Sequence, residues 1–337
     1  MDRKSKKRFA FALFLVIICG LIITGVLVKK PVDKKSDLFR IGVISWVGFG
    51  PFFIAEEKGF FKEEGVNGEV WKIENDGALR SALTSGELQG IIGSLDSLAS
   101  GIANGLKAKV VLKIDESNGS DGILAASSIK NLKDLKGKKV AFPKGVPSHY
   151  FLLNLLRKEG MNSKDIIPVY MEAGDAAVAF MAGKVDAAVT WEPWLSQANK
   201  PEYGHKIISS LEVPGIIVDL FAFSYETLDK RKNEAGAAIK AWFRALDFLK
   251  KNPREGCEII GRNMGIKPEE VKEMLTGLRF ANYRENLQYF KSGEFSLRFD
   301  EAVEVYKQEG LIKKRFPGNS AYDVTVLSSM KKTEREH

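Results

Sequence analysis

The sequence predicts an α/β protein built as two lobes, and three observations carry that prediction. Short apolar runs with strand character alternate with helical patterns, which implies mainly parallel sheets covered on both faces. One strand–turn–helix unit occurs twice: LTSGELQGIIGSLDSL (Leu83–Leu98) lies over FMAGKVDAAVTWEPWL (Phe180–Leu195). At 337 residues the chain is long enough for two compact bodies.

The chain opens on Arg3, Lys4, Lys6, Lys7 and Arg8, followed by twenty uncharged, mostly apolar residues from Phe9 to Val28. About 20 such residues cross a bilayer, and basic charge on the near side keeps that end in the cytoplasm. The remainder is therefore expected on the extracytoplasmic face, anchored by residues 9–28. Val16-Ile17-Ile18-Cys19 offers a competing reading, a lipidated Cys19, although Ile18 stands where a small residue is required. Lys29 to Asp37 forms a charged tether.

Beyond the tether, Phe39–Ser45 reads as a strand and Pro51–Glu64 as a helix with Pro at its start. Glu69–Ile73 is a second strand, Gly77–Ser85 a helix closed by Gly86, and Gly90–Ser94 a third strand. Ile129–Pro143 supplies a short helix and the first strand of a new lobe. Gly215–Phe223 is a β-rich run that returns the chain to the first. Ala235–Gln308 has an almost wholly helical pattern, including the apolar stripe of Ala237–Lys251. The resulting division is 1–36 for the basic end, membrane segment and tether, 37–125 plus 215–330 for lobe one, and 126–214 for lobe two.

Composition excludes several functions. The net charge is +8, but nine Lys and Arg against Asp2 and Asp33 before residue 37 account for nearly all of it, leaving no electrostatic case for nucleic acid. Cys19 and Cys257 are the only cysteines, so the folded part has no internal disulfide and no cysteine pair for zinc or redox chemistry. His149, His205 and His337 have no metal-ligand spacing. No GxSxG elbow, GxxxxGK[ST] loop or HExxH helix is present. The chain reads as a binding protein without catalysis or cofactor.

Ligands of α/β sheets sit beyond the C-terminal strand ends, where helix N-termini begin. Five segments fall at such positions. Trp46 and Gly48 provide a stacking face and close backbone approach, or a plain strand-to-helix loop. Ser94 and Asp96 cap the next helix, with the cleft as a second role. Ser117 and Asp121, in the polar run DESNGSDG, offer polar groups where the chain crosses between lobes, or form a solvated turn; the spacing fails a calcium loop. Ser148 and His149 open a helix, His149 as a ligand contact or as a packed helix residue. Trp191 and Glu192 end the strand AAVTWEPW and face the cleft opposite Trp46 and Asp96, or merely start a helix.

The segments WVGFGPFFIAEEKGFFKEEGV, LTSGELQGIIGSLDSLASG, DLKGKKVAFPKG and AFMAGKVDAAVTWEPW together resemble one family, across roughly Arg40–Gln308. It is the extracytoplasmic solute-binding proteins of ATP-binding-cassette importers for nitrate, taurine and alkanesulfonates, which also includes binders of thiamine pyrimidine precursors. The resemblance implies a periplasmic-binding-protein (type II) fold of two α/β lobes with a hinge and a central ligand cleft. It further implies a monomer that delivers a small solute to a permease and its ATPase. Asp96, Asp121 and Glu192 would make the cleft acidic, which favours a zwitterion or a donor-rich heterocycle over a bare anion such as nitrate. The alternatives are a pyrimidine synthase of the same fold, which would use a histidine and a cysteine-rich motif, and an extracellular sensor.

Overall fold

Eleven strands among the described residues form two sheets; the computed structural model describes residues 38–330. The expected membrane segment and Cys19 lie outside the described residues. Among those described, no helix is long and apolar enough to cross a membrane. In chain order the strands are β1 (Phe39–Val43), β2 (Gly68–Lys72), β3 (Gly90–Ser94), β4 (Ala108–Ser117), β5 (Asp121–Ala125), β6 (Lys139–Phe142), β7 (Ile167–Tyr170), β8 (Ala187–Trp191), β9 (His205–Ser209), β10 (Val218–Ser224) and β11 (Leu278–Phe280).

The first sheet runs β11-β4-β10-β3-β1-β2 and the second β7-β6-β8-β5-β9. Each has a parallel trio, β3-β1-β2 and β7-β6-β8. Beside each trio lies one strand running the other way, β10 in the first sheet and β5 in the second. These two strands are the ones that follow a crossing between sheets. The mainly parallel reading therefore holds for the trios but not for the crossing strands. Sheet membership also places Asp121–Ala125 in the second sheet, earlier than the sequence boundary at 126. The reason is local: a polar Asp-Gly start hides a strand that is buried along its whole length.

The repeated unit falls on equivalent strands. β3 lies between β1 and the crossing strand β10, and β8 lies between β6 and the crossing strand β5. Gly86 and Gly183, at φ 78° and 63°, follow the preceding helix in the two copies. Two expected elements differ. The helix of residues 51–64 is split into Gly50–Glu57 and Phe60–Glu63, because Gly59 at φ 73° turns the backbone into the left-handed region. The helical run 235–308 is interrupted by the three-residue β11, which pairs with β4.

One apolar core contains Phe52, Phe221 and Trp242 of the first lobe and continues into Ile123, Phe142 and Phe151 of the second. The connection is the helix Pro147–Lys158, whose buried face packs against the helices Glu294–Gln308 and Leu95–Ala103. A smaller core under Ala176, Phe180 and Leu195 belongs to the second sheet alone.

Candidate functional site

Both crossings meet at Ser210. Its Oγ shares a hydrogen bond with Ser117 Oγ at 2.7 Å and accepts from the N–H groups of Gly119 (2.7 Å) and Asp121 (3.4 Å). Ser117 ends β4 and Ser210 follows β9, so the two chain passages between sheets are tied at one point. Ser117 is thus part of a buried joint rather than a solvated turn.

Next to this joint four aspartates are buried together. Asp115 on β4 is directly paired in register with Asp219 on β10, and Asp219 is paired on its other side with Ser94 on β3. Asp121 opens β5 opposite Trp191 of β8. Asp96 lies in the first turn of the helix Leu95–Ala103. All four are less than a tenth exposed. Burial, which disfavours the charged form, raises each carboxyl: Asp96 to about 6, Asp115 and Asp121 to about 7, and Asp219 well above its usual value. Mutual repulsion adds to this, since Asp219 feels Asp115, Asp121 and Asp96, and Asp121 feels Asp96 and Glu192.

The partners of these carboxyls differ. Asp96 Oδ2 accepts from Tyr306 Oη at 2.6 Å, and Tyr306 also reaches Val146 O at 3.3 Å, so one hydroxyl touches both lobes. Neither Asp96 nor Ser94 caps its helix through a side chain, contrary to the expected role. Asp115 receives no hydrogen bond at either oxygen from any group but the neighbouring Asp219 carboxyl, which donates to it when protonated. The nearest basic group, Lys113, is bound to Glu116 at 2.8 Å, and Arg279 holds the other oxygen of Glu116 at 2.7 Å.

Gly48 lies against this pair. A Cβ there would overlap Asp115 Oδ2 and stand 2.8 Å from Trp46 Nε1. The indole N–H of Trp46 is sheltered and has no acceptor. Trp46, Gly48 and Asp115 therefore meet at one spot.

The second lobe contributes less. His149 is 1% exposed, stacks on Phe142 at 5.0 Å between ring centres, and accepts the Gly145 N–H at Nδ1 (3.2 Å). Burial, then Lys144, lowers its pKa to about 4, so the ring is neutral near pH 7. His149 fits the packed-helix reading. Its neighbour Ser148 is buried with no hydrogen-bond partner at Oγ. Glu192 accepts from Ser196 N–H (3.1 Å) and Ser196 Oγ (2.7 Å), which is the helix-start role. Trp191 is half-buried with its ring edge-on to Trp194 at 5.7 Å.

Sequence reasoning missed Asp115, Asp219 and Tyr306. Asp219 had a signal, being the one acid inside the apolar run GIIVDLFAF. Among the described residues no cluster of His, Cys, Asp or Glu has the geometry to hold a metal ion.

Comparison with known proteins adds an independent line. A family model described as NMT1-like matches residues 33–261. A protein of Escherichia coli named for binding aliphatic sulfonates is 50% identical over 153 residues, 44% of this chain and 46% of that protein; this chain matches less than half of that relative's length. A protein of Brucella abortus named only as a binding protein is 34% identical over 246 residues, 67% of this chain and 72% of its own. Among solved structures, the periplasmic aliphatic sulphonate binding protein of Escherichia coli superposes with a TM-score of 0.74 at 20% identity, covering 87% of this chain and 99% of that one. At this identity the likeness speaks for the fold, which is the two-lobed α/β fold of periplasmic binding proteins.

Proposed function

Because this chain belongs to the NMT1-like family, we propose that it is the solute-binding component of an ATP-binding-cassette importer. It captures a small solute between its lobes and delivers it to a permease whose partner ATPase drives transport. The observation that carries this reading is the 50% identity to a protein named for binding aliphatic sulfonates, on a two-lobed fold whose two chain crossings meet at Ser210. Two lobes whose crossings are tied together can close on a ligand as a hinge, and the closed form is what a permease would recognise.

The finer parts of the reading follow from the residues. Residues 9–28 anchor the protein with its lobes on the extracytoplasmic face, or Cys19 carries a lipid that does the same. The protein acts as a monomer and performs no chemistry. Sheet membership supports one lobe change between β4 and β5 and the other between β9 and β10. Trp46, Gly48, Ser94, Asp96, Ser117, Asp121, Ser148, His149, Trp191 and Glu192 surround the cleft; Trp46, Gly48 and Asp121 are those best placed to meet a solute.

The test is thermal unfolding of the purified protein with taurine, alkanesulfonates, nitrate, aminopyrimidines and small heterocycles. A ligand at a hundredfold excess over Kd stabilises the folded state by about 2.7 kcal/mol, raising the midpoint by about 5 °C. A shift confined to one class identifies the solute class. The absence of any shift across the panel removes the importer reading.

A further inference from the structure

We propose that Asp115 and Asp219, with Trp46 beside them, form a recognition site for a cationic nitrogen group, a protonated amine or an amidinium. The inference rests on the solute-binding reading and narrows it: the solute is a cation or a zwitterion, and a bare anion is excluded.

Three observations converge on this. First, a buried carboxylate short of donors is costly to hold, and Asp115, 1% exposed, has none at either oxygen except the Asp219 carboxyl in its protonated form. Its immediate neighbour Asp219 is another acid, and Asp121 and Asp96 add the same sign from two further elements. The charged groups that reach Asp115 are Lys113, Asp121, Glu116 and Asp219. Lys113 attracts Asp115 from a distance but makes no bond to the pair, since its ammonium is bound by Glu116 and lies over the Tyr289 ring at 4.8 Å. Arg279 is likewise divided between Glu116 and Glu285.

Second, Trp46 Nε1, a donor without an acceptor, lies at the same spot. The indole N–H edge serves an acceptor atom next to the cationic nitrogen. Third, Gly48 leaves out a side chain at the one place where a Cβ would press on Asp115 Oδ2. The backbone is thereby packed directly against the carboxyl.

A pair of carboxyls that share a proton accepts a nitrogen bearing two or more N–H groups by releasing that proton to solvent. The ligand's charge then replaces the missing counter-charge, and its N–H groups satisfy the orphan oxygens. A sulfonate or nitrate at the same place would meet only like charge.

The experiment uses matched pairs that differ in the cationic nitrogen: taurine against ethanesulfonate, and benzamidine against benzamide, at pH 7.5. Unfolding midpoints are measured for the wild type, Asp115→Asn and Asp219→Asn. The expected result is a shift with an amine or amidine member and none with its twin, lost in both variants with at least a tenfold fall in affinity. The unliganded variants are expected to melt at or above the wild-type midpoint, because each relieves repulsion, so lost binding is not confused with lost folding. An equal shift by the uncharged or anionic twin, or binding that survives both substitutions, overturns the inference and leaves the importer reading standing. No shift with any compound here or in the wider solute panel removes both.

Discussion

Asp219 stands directly opposite Asp115 across the β10–β4 ladder, two buried acids with Asp121 close enough to repel both and Asp96 to repel Asp219. Like charges opposite one another destabilise a sheet pair, so the arrangement works against folding whenever the groups ionise.

That relationship fixes the sign of the pH dependence. A carboxyl whose pKa is higher in the folded chain than near 3.8 binds more protons folded than unfolded, so stability falls as pH rises through the folded value. Asp115 and Asp121, at about 7, and Asp96, at about 6, act between about pH 4 and those values, and their effect levels off above them. His149 acts oppositely, favouring the folded state as pH rises from about 4 to 6.5, and is silent above that. The unliganded protein is therefore expected to lose melting temperature between pH 5 and pH 7.5, where the raised aspartates outnumber the opposing His149, and Asp219→Asn to flatten the loss. A midpoint that is constant or rising over that interval in the wild type would contradict the assignment.

Gly48→Ala tests the close approach of the loop to the acid pair. The added methyl overlaps Asp115 Oδ2 and crowds Trp46 Nε1, both held by packed elements. Overpacking of this kind costs about 1–3 kcal/mol, and the same displacement should weaken solute binding. Urea denaturation reads the first effect and a ligand titration the second. Wild-type behaviour in both would mean that the Trp46–Phe49 turn yields freely.

Tyr306→Phe removes the hydroxyl that joins Asp96 to Val146 across the lobes. The lost bond is to a carboxyl with a pKa of about 6, and that bond favours the charged form. The substitution should therefore cost about 1.5–3 kcal/mol at pH 8, where Asp96 is ionised, and distinctly less at pH 5. Equal losses at the two pH values would show that packing of the ring, not the hydroxyl, is what matters.

The fold was legible where it is local. The repeated unit identified β3 and β8, because a helix end, a glycine and a short apolar strand are adjacent in sequence, and GIIVDLFAF marked the return to the first lobe. β5 was hidden by its Asp-Gly start, and β11 is too short to break a helical pattern. The site was legible in part: Trp46 and Gly48 lie in one loop, and Asp96 and Asp121 at strand ends. Tyr306 was not, since it meets Asp96 from 210 residues away and no periodicity links them. Asp115 was passed over in favour of Ser117 and Asp121, which stand closer to the crossing. What distinguishes Asp115 is its pairing with Asp219, a matter of register between distant strands.

Trp191 and Glu192 answer differently to substitution, although they are neighbours. Both oxygens of Glu192 are engaged by Ser196 at the start of a short helix, so Glu192→Gln, which keeps one acceptor, should cost about 0.5–1 kcal/mol of stability and leave solute affinity nearly intact. Trp191 is the cross-strand partner of Asp121 and only half-buried, so Trp191→Ala should weaken binding by more than it weakens folding. Calorimetric titration of both variants beside Asp219→Asn separates the cases. If Glu192→Gln abolished binding as fully as Asp219→Asn, Glu192 would have to leave Ser196 to meet the solute, and the charge that selects the ligand would lie in the second lobe instead of the first.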